Sequence, residues 1–259
     1  MSSGTLLRMV VPGHSMSIKS SSIRELVLHQ GAFAHVFERH DIDYCCHGEE
    51  TLEAACGKKN IDLDALLTEM ESTEAARPYS FLHGDLWGME FLIEYIVENH
   101  HRFCKATIPV ISTQLTKLNS SQGDEFPHIK PVVMLFERVS HDLEQHMRKE
   151  EMILFPYIKT LASAIELGRR RPITPFLTLD GPLKRMEQEH LETSQVFAKI
   201  KALLSDYTVP AGAGTMYRAA VRGMQGFIYD VHQHIHLENN LLFPRARDLE
   251  RAFGGEDGR

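Results

Sequence analysis

Apolar residues along this chain recur at helical spacing. Between residues 22 and 72 they fall into four short patches, IRELVLHQ, AFAHVFERH, ETLEAACGKK and DLDALLTEME, interrupted by Gly31, Gly48 and Gly57. That run predicts a small helical domain over 22–72. Its first helix has a readable start: in Ser22-Ile23-Arg24-Glu25 the serine hydroxyl and the glutamate carboxylate can each accept from the other's exposed backbone N–H. Upstream, residues 1–21 mix Gly, Ser and Pro without a period and read as a flexible leader. The pattern lapses over 73–82, where Arg77-Pro78 acts as a breaker, so a linker is predicted there.

Four long amphipathic patterns follow, over about 87–118, 131–167, 180–205 and 215–252. Pro109 lies inside the first and should kink or interrupt it. No stretch alternates as a strand does. The expected fold is therefore all-α, a four-helix bundle over 83–252 behind the small helical domain, with a flexible tail at 253–259.

Composition narrows the chemistry. Hydrophobic residues at 43% and charged residues at 24% allow a buried core. With 28 Lys and Arg against 35 Asp and Glu, net charge -7, and no basic run, a nucleic-acid surface is not expected. No window approaches 18 uninterrupted apolar residues and the leader has no apolar core with a small-residue cleavage site, so neither a membrane partner nor secretion is expected and the protein reads as cytoplasmic. Two of the four cysteines, Cys45 and Cys46, are adjacent, unlike the staples of a secreted domain, and reduced thiols are expected. The 15 histidines are an excess, which points first to metal.

Two segments repeat one phrase: HMRKEEMILFP from His146 and HIHLENNLLFP from His234. Four residues of α-helix turn about 400°, so His146 and Glu150, like His234 and Glu238, lie about 40° apart on one face. Such pairs also occur on wet faces, where they interact weakly. Here the flanking positions are apolar: Val139, Leu143 and Ile153 around the first pair, Phe227, Val231 and Leu241 around the second. A carboxylate on a core stripe costs several kcal/mol unless paired or coordinated. Two half-sites with carboxylates able to bridge predict a dinuclear centre inside the bundle, and the closing Phe-Pro predicts packing and a local helix distortion just beyond the ligands. Asp142 and Asp230, four residues upstream of each histidine, are candidate acceptors for an imidazole N–H. His232 and His236 share a face with Gln225, Tyr229, Asn239 and Asn240 and are expected in solvent, as is His141. His190 falls on a stripe with Leu183 and Met186. Spacing does not separate His100 from His101 as a ligand from the first helix.

These motifs together, AHVFERHDIDYCCHGEETLEAAC, then IEYIVENHH, HMRKEEMILFP, MEQEH and HIHLENNLLFPRA, resemble the di-iron proteins that repair iron-sulfur clusters, which join a small cysteine-containing N-terminal domain to a hemerythrin-like four-helix domain. The resemblance spans about residues 22–250. It implies two iron ions held by His101, His146, Glu150, His190, His234 and Glu238, with both glutamates bridging and an oxo or hydroxo group between the irons. Where the family has a further histidine before a glycine, this chain has Gln122-Gly123, with His128 six positions on, so the remaining ligand is His128, Gln122 or water. The adjacent cysteines match Cys45 and Cys46, redox or iron-transfer thiols, with His47 where a glycine is commoner; Cys56 and Cys104 read as packing. The implied function is stress-induced repair of clusters damaged by nitric oxide or oxidants by supplying iron, with damaged iron-sulfur proteins as clients and the chain a monomer or homodimer. That reading leans towards a donor and away from an enzyme. The rival readings are a di-iron nitric oxide-reducing enzyme and a hemerythrin-like module that binds or senses oxygen or nitric oxide.

Overall fold

A computed structural model of the chain describes residues 18–76, 86–173, 176 and 178–254. Most of the expected leader, the expected linker from residue 77 onward and the tail beyond 254 lie outside the described residues. Backbone contacts divide the chain into two compact units, Met1–Trp87 with Asn239–Leu241, and Gly88–Glu238 with Leu242–Arg259. No strand occurs among the described residues, and none of their helices is long and apolar enough to cross a membrane.

The first unit carries α1 (Ile23–His29), α2 (Phe33–Arg39), α3 (Leu52–Lys59) and α4 (Leu63–Ala76). The capping box at Ser22 forms: Ser22 Oγ accepts from Glu25 N at 3.3 Å, and Glu25 Oε2 accepts from Ser22 N at 3.0 Å. Ile23, Leu26, Phe33, Phe37, Leu52 and Leu66 are buried and make a core among the four helices. Glu69 of α4 holds the end of α2, accepting from Arg39 Nε at 2.8 Å and facing His40 Nε2 at 2.7 Å. Between α2 and α3 the chain turns through Asp41, whose φ of 54° lies in the left-handed region, and this loop carries both adjacent cysteines. The helix α4 runs past residue 73, where the apolar pattern had suggested a linker.

In the second unit, helix A joins α5 (Met89–Tyr95) to α6 (Arg102–Gln122), helix B joins α7 (Ile129–Lys149) to α8 (Phe155–Glu166), helix C is α9 (Asp180–Leu203), and helix D joins α10 (Thr215–Leu237) to α11 (Phe243–Gly254). The α6 segment packs against α7 and α10, and α9 packs against the same two, which closes a square of four helices. Their inner stripes repeat at steps of three and four: Ile129, Val132, Phe136, Val139, Leu143 and His146 in α7; Leu183, Met186, His190, Thr193, Phe197 and Ile200 in α9. The polar site residues thus continue an apolar stripe. Beside them Phe227 meets Phe136 and Phe197 edge-on, with ring centroids 5.6 and 6.1 Å apart.

Helices A, B and D each contain one widened turn, at Ile96–His101, Glu150–Leu154 and Glu238–Leu242. In these the backbone N–H bonds to the carbonyl five residues back: Arg102 to Val97, Phe155 to Glu150, Phe243 to Glu238. Pro109, by contrast, sits within α6, and the helix continues to Gln122. The irregular turn of helix A ends at His101, where no proline stands.

Candidate metal centre

Each widened turn touches a site residue: His101 closes the first, Glu150 opens the second and Glu238 opens the third. Proline explains two of them. Pro156 and Pro244 have no N–H, and a proline ring in a helix clashes with the carbonyl four residues back. Opening the preceding turn by one residue moves that carbonyl away and lets the helix resume. The inserted residue also rotates the face beyond it: Ile153, expected beside the site, is 48% exposed, and Leu154 is buried in its place.

Six side chains from the four helices meet in two groups that share their carboxylates, His101, His234, Glu150 and Glu238 in one, His146, His190, Glu150 and Glu238 in the other, with ligand atoms in each within 4.8 Å of one another. In the first, His101 Nε2 and His234 Nε2 are 3.1 Å apart; in the second, His146 Nε2 and His190 Nε2 are 2.8 Å apart. Glu150 sends Oε1 to His146 at 3.2 Å and Oε2 to His101 at 3.5 Å. Glu238 sends Oε1 to His234 at 2.9 Å and Oε2 to His190 at 3.1 Å. Both carboxylates are 0% exposed. His100 is turned aside, its Nδ1 3.1 Å from Asp230 Oδ1 and its ring stacked on His234 at 6.1 Å.

The outward ring nitrogens are held unequally. His101 Nδ1 meets Glu151 Oε1 at 2.7 Å, and Glu151 is tied in turn to Lys105 at 2.6 Å. His146 Nδ1 meets Glu189 Oε2 at 2.9 Å, and Glu189 also accepts from Lys149 at 2.7 Å and Arg185 at 2.8 Å. His234 Nδ1 is buried without a hydrogen-bond partner among the described residues. These acceptors differ from those expected. Asp142 is on the surface beside Arg138 at 3.8 Å, and Asp230 serves His100, because four residues upstream on the same helix points past the neighbouring ring. Glu151 and Glu189, adjacent in sequence to a site residue on the facing helix, can reach across.

Charge follows this arrangement. Burial opposes a charged His146, but the carboxylates of Glu150 and Glu189 outweigh it and push it up to about 10. Burial likewise opposes a charged His101, yet Glu238, Glu150 and Glu151 raise it. His234 goes the other way, lowered by burial. The bond from His146, with burial opposing it and Lys149 and Arg185 assisting, holds Glu189 far below the usual carboxylate range.

Several expectations are redirected. His128 is not in either group: its Nε2 meets Tyr217 Oη at 2.8 Å, and it precedes α7, 18 residues or about 27 Å of helix from His146. Gln122 ends α6, near Gly214, with Oε1 buried and without a hydrogen bond among the described residues. His236, expected in solvent, is buried, whereas His141 is exposed and His232 half-buried. Cys56 and Cys104 are buried, and burial raises both thiols above their ordinary value, with the charges of Asp230 and Glu238 adding to the effect at Cys104. Cys45 and Cys46 lie together, Sγ to Sγ 3.7 Å.

The donor set fits a pair of cations. Both oxygens of Glu150 and Oε2 of Glu238 are buried without an acceptable hydrogen bond among the described residues, although imidazole nitrogens lie 3.1–3.5 Å away. Those nitrogens converge on shared points between the side chains and do not donate along the lone pairs. Buried carboxylates cost several kcal/mol each; the neighbouring imidazoles offset part of that, and coordination to divalent ions would offset more. Imidazole and carboxylate suit iron among other first-row metals.

Residues 92–246 match the hemerythrin HHE cation binding domain, so the second unit is a hemerythrin-type cation-binding bundle. Residues 19–74 match ScdA_N, a domain of unknown function. Over 231 residues, 89% of this chain and 98% of the relative, the sequence is 32% identical to the iron-sulfur cluster repair protein YtfE of Yersinia pseudotuberculosis; over the same extent it is 31% identical to YtfE of Yersinia pestis. The chain belongs to the YtfE family of iron-sulfur cluster repair proteins.

Proposed function

We propose that this protein repairs iron-sulfur clusters damaged by nitric oxide or oxidants, by supplying iron from a pair of ions held in the bundle. The observation that carries the reading is the division of each carboxylate: Glu150 and Glu238 each give one oxygen to one histidine pair and one to the other. Two ions, bridged by both glutamates and each completed by two imidazoles, match that division. All six ligand residues belong to this proposal.

Release needs a path and a trigger. His146 lines a polar cavity of about 410 Å³ with Asp142, Lys149, Arg185 and Glu189. Glu189 there holds His146 by its outward nitrogen, and its other oxygen is engaged by cations at the surface. A bound ion would need His146 unprotonated, since a ligand nitrogen must be unprotonated to bind, so protonation of this imidazole would weaken the hold on that side. Damaged iron-sulfur proteins are the proposed clients.

The test has two parts. Protein purified from iron-replete cells should hold about two irons per chain, falling sharply in Glu150→Ala/Glu238→Ala; one zinc per chain, or no change on mutation, would sink the reading. Added to a cluster enzyme inactivated by nitric oxide, it should restore activity while losing iron. A second reading, reduction of nitric oxide, is favoured by the small protein donor count, two imidazoles and two shared carboxylates for each ion, which leaves room for a small ligand on iron. Consumption of nitric oxide over many turnovers with iron retained would favour it, and a reversible oxygen adduct would favour a binding module.

A further inference from the structure

The loop after α2 holds a third convergence of metal-ligating atoms, separate from the bundle centre: Asp43, Cys45 and Cys46 each offer an atom within 4.8 Å of the others. We propose that Asp43, Cys45 and Cys46 form a binding site for one thiophilic divalent cation, zinc or ferrous iron, and that His47 positions Asp43 for it. The proposal goes beyond iron supply from the bundle and does not depend on it.

Distances support the assignment. Two thiolates about 2.3 Å from a tetrahedral ion stand about 3.8 Å apart, and a thiolate and a carboxylate oxygen about 3.5 Å apart. Here the two Sγ atoms are 3.7 Å apart, and Cys45 Sγ is 3.3 Å from Asp43 Oδ1. Both distances are close to what a tetrahedral ion requires, and the third pair lies within 4.8 Å.

The carboxylate is fixed before any ion arrives. Asp43 Oδ1 accepts from the backbone N–H of Cys45 at 3.1 Å and of Cys46 at 2.8 Å, and Oδ2 faces His47 Nδ1 at 2.7 Å. Burial opposes its charge, but the Cys46 N–H and His47 outweigh that and keep the carboxyl below its usual range. Cys45 is buried and Cys46 partly exposed, so one wall of the site is closed and the other open. The bond to Cys46, burial and the Asp43 charge all raise the Cys45 thiol well above its ordinary value, because two thiolates and a carboxylate so close repel one another. A divalent cation removes that repulsion: it binds both sulfurs, and the two thiol protons leave to solvent. Two protons leave and one divalent ion enters, so the two thiols and one carboxylate keep a net charge of -1. A solvent or partner ligand would complete the coordination of an ion held there.

Cobalt(II) titrated into the full-length, metal-free protein under a phosphine reductant tests this. Three equivalents, enough to fill the bundle centre and the loop, should give sulfur-to-cobalt charge-transfer absorption in the near ultraviolet, which nitrogen and oxygen ligands of the bundle do not produce. The band should vanish in Cys45→Ser/Cys46→Ser, and Asp43→Asn and His47→Ala should each weaken binding about 10–100-fold. Zinc should also slow alkylation of Cys46 by iodoacetamide at least about ten-fold in the unsubstituted protein, a readout that needs no variant to fold. Absence of the band once cobalt exceeds three equivalents, its persistence in the double serine variant, or alkylation indifferent to excess zinc would overturn the site and leave the bundle centre untouched.

Discussion

Phe243 lies flat on His190, with ring planes 4° apart and centroids 5.9 Å apart. Phe155 covers His101 in the same manner, at 20° and 5.7 Å. The pairing is crosswise. The repeated phrase that contributes His146 to one group shields His101 of the other, and the phrase that contributes His234 shields His190. Replacing either phenylalanine by alanine should cost about 3–5 kcal/mol, read by denaturant unfolding of the metal-free protein, and should loosen a histidine outside its own phrase. In Phe243→Ala, imidazole NMR signals of His190 should broaden more than those of His234; equal broadening would count against crosswise support.

Glu189 reaches His146 from the neighbouring helix and fixes the ring. Partners of this kind typically change metal affinity about 10–100-fold when altered. Glu189→Gln keeps an acceptor oxygen and removes the charge, so a loss of that size, measured by chelator competition, is expected with the fold intact. Glu151→Gln should act likewise through His101. Affinity unchanged in both variants would mean that these carboxylates serve only the surface lysines and arginine.

The pH dependence follows from His146. Its folded value of about 10 lies above the ordinary 6.5. The imidazolium therefore stabilises the metal-free fold fully below about pH 6.5, and that contribution is lost as pH rises through about 10. A metal ion must displace this proton. Affinity should thus climb by up to about ten-fold per pH unit between about pH 7 and 9, with proton release on loading measurable by calorimetry in buffers of different ionisation enthalpy. An affinity flat across that window would show that His146 carries no proton to displace.

His128 bonds to Tyr217 far along the helix from the centre. His128→Ala should leave metal content unchanged and lower stability by about 1 kcal/mol, the contribution of an ordinary hydrogen bond. Loss of one metal ion per chain would return it to the ligand set.

The bundle and both half-sites are legible in the sequence because their signal is periodic: stripes at three and four, and one phrase written twice. His101 could be separated from His100 only by resemblance, since at the end of helix A the turn is widened and ideal α spacing no longer assigns faces. The same widening put Ile153 outside when a regular helix would have put it beside Glu150. Glu151 and Glu189 are not legible in the sequence because their role depends on which helix stands opposite, a fact carried by packing and not by spacing within one segment. Asp43 is hidden for the opposite reason: its partners Cys45 and Cys46 are two and three residues away in a loop, where no period operates.

The widened turns have a consequence for how this chain tolerates change. Each is a local surplus of one residue, so a single-residue deletion within Glu150–Leu154 or Glu238–Leu242 would yield a more regular helix. That tidier backbone would swing Phe155 or Phe243 off the histidine it covers and press a proline against the carbonyl behind it. In most helices a one-residue deletion is harmful because it breaks the regular pattern; in these two turns it would be harmful because it restores it.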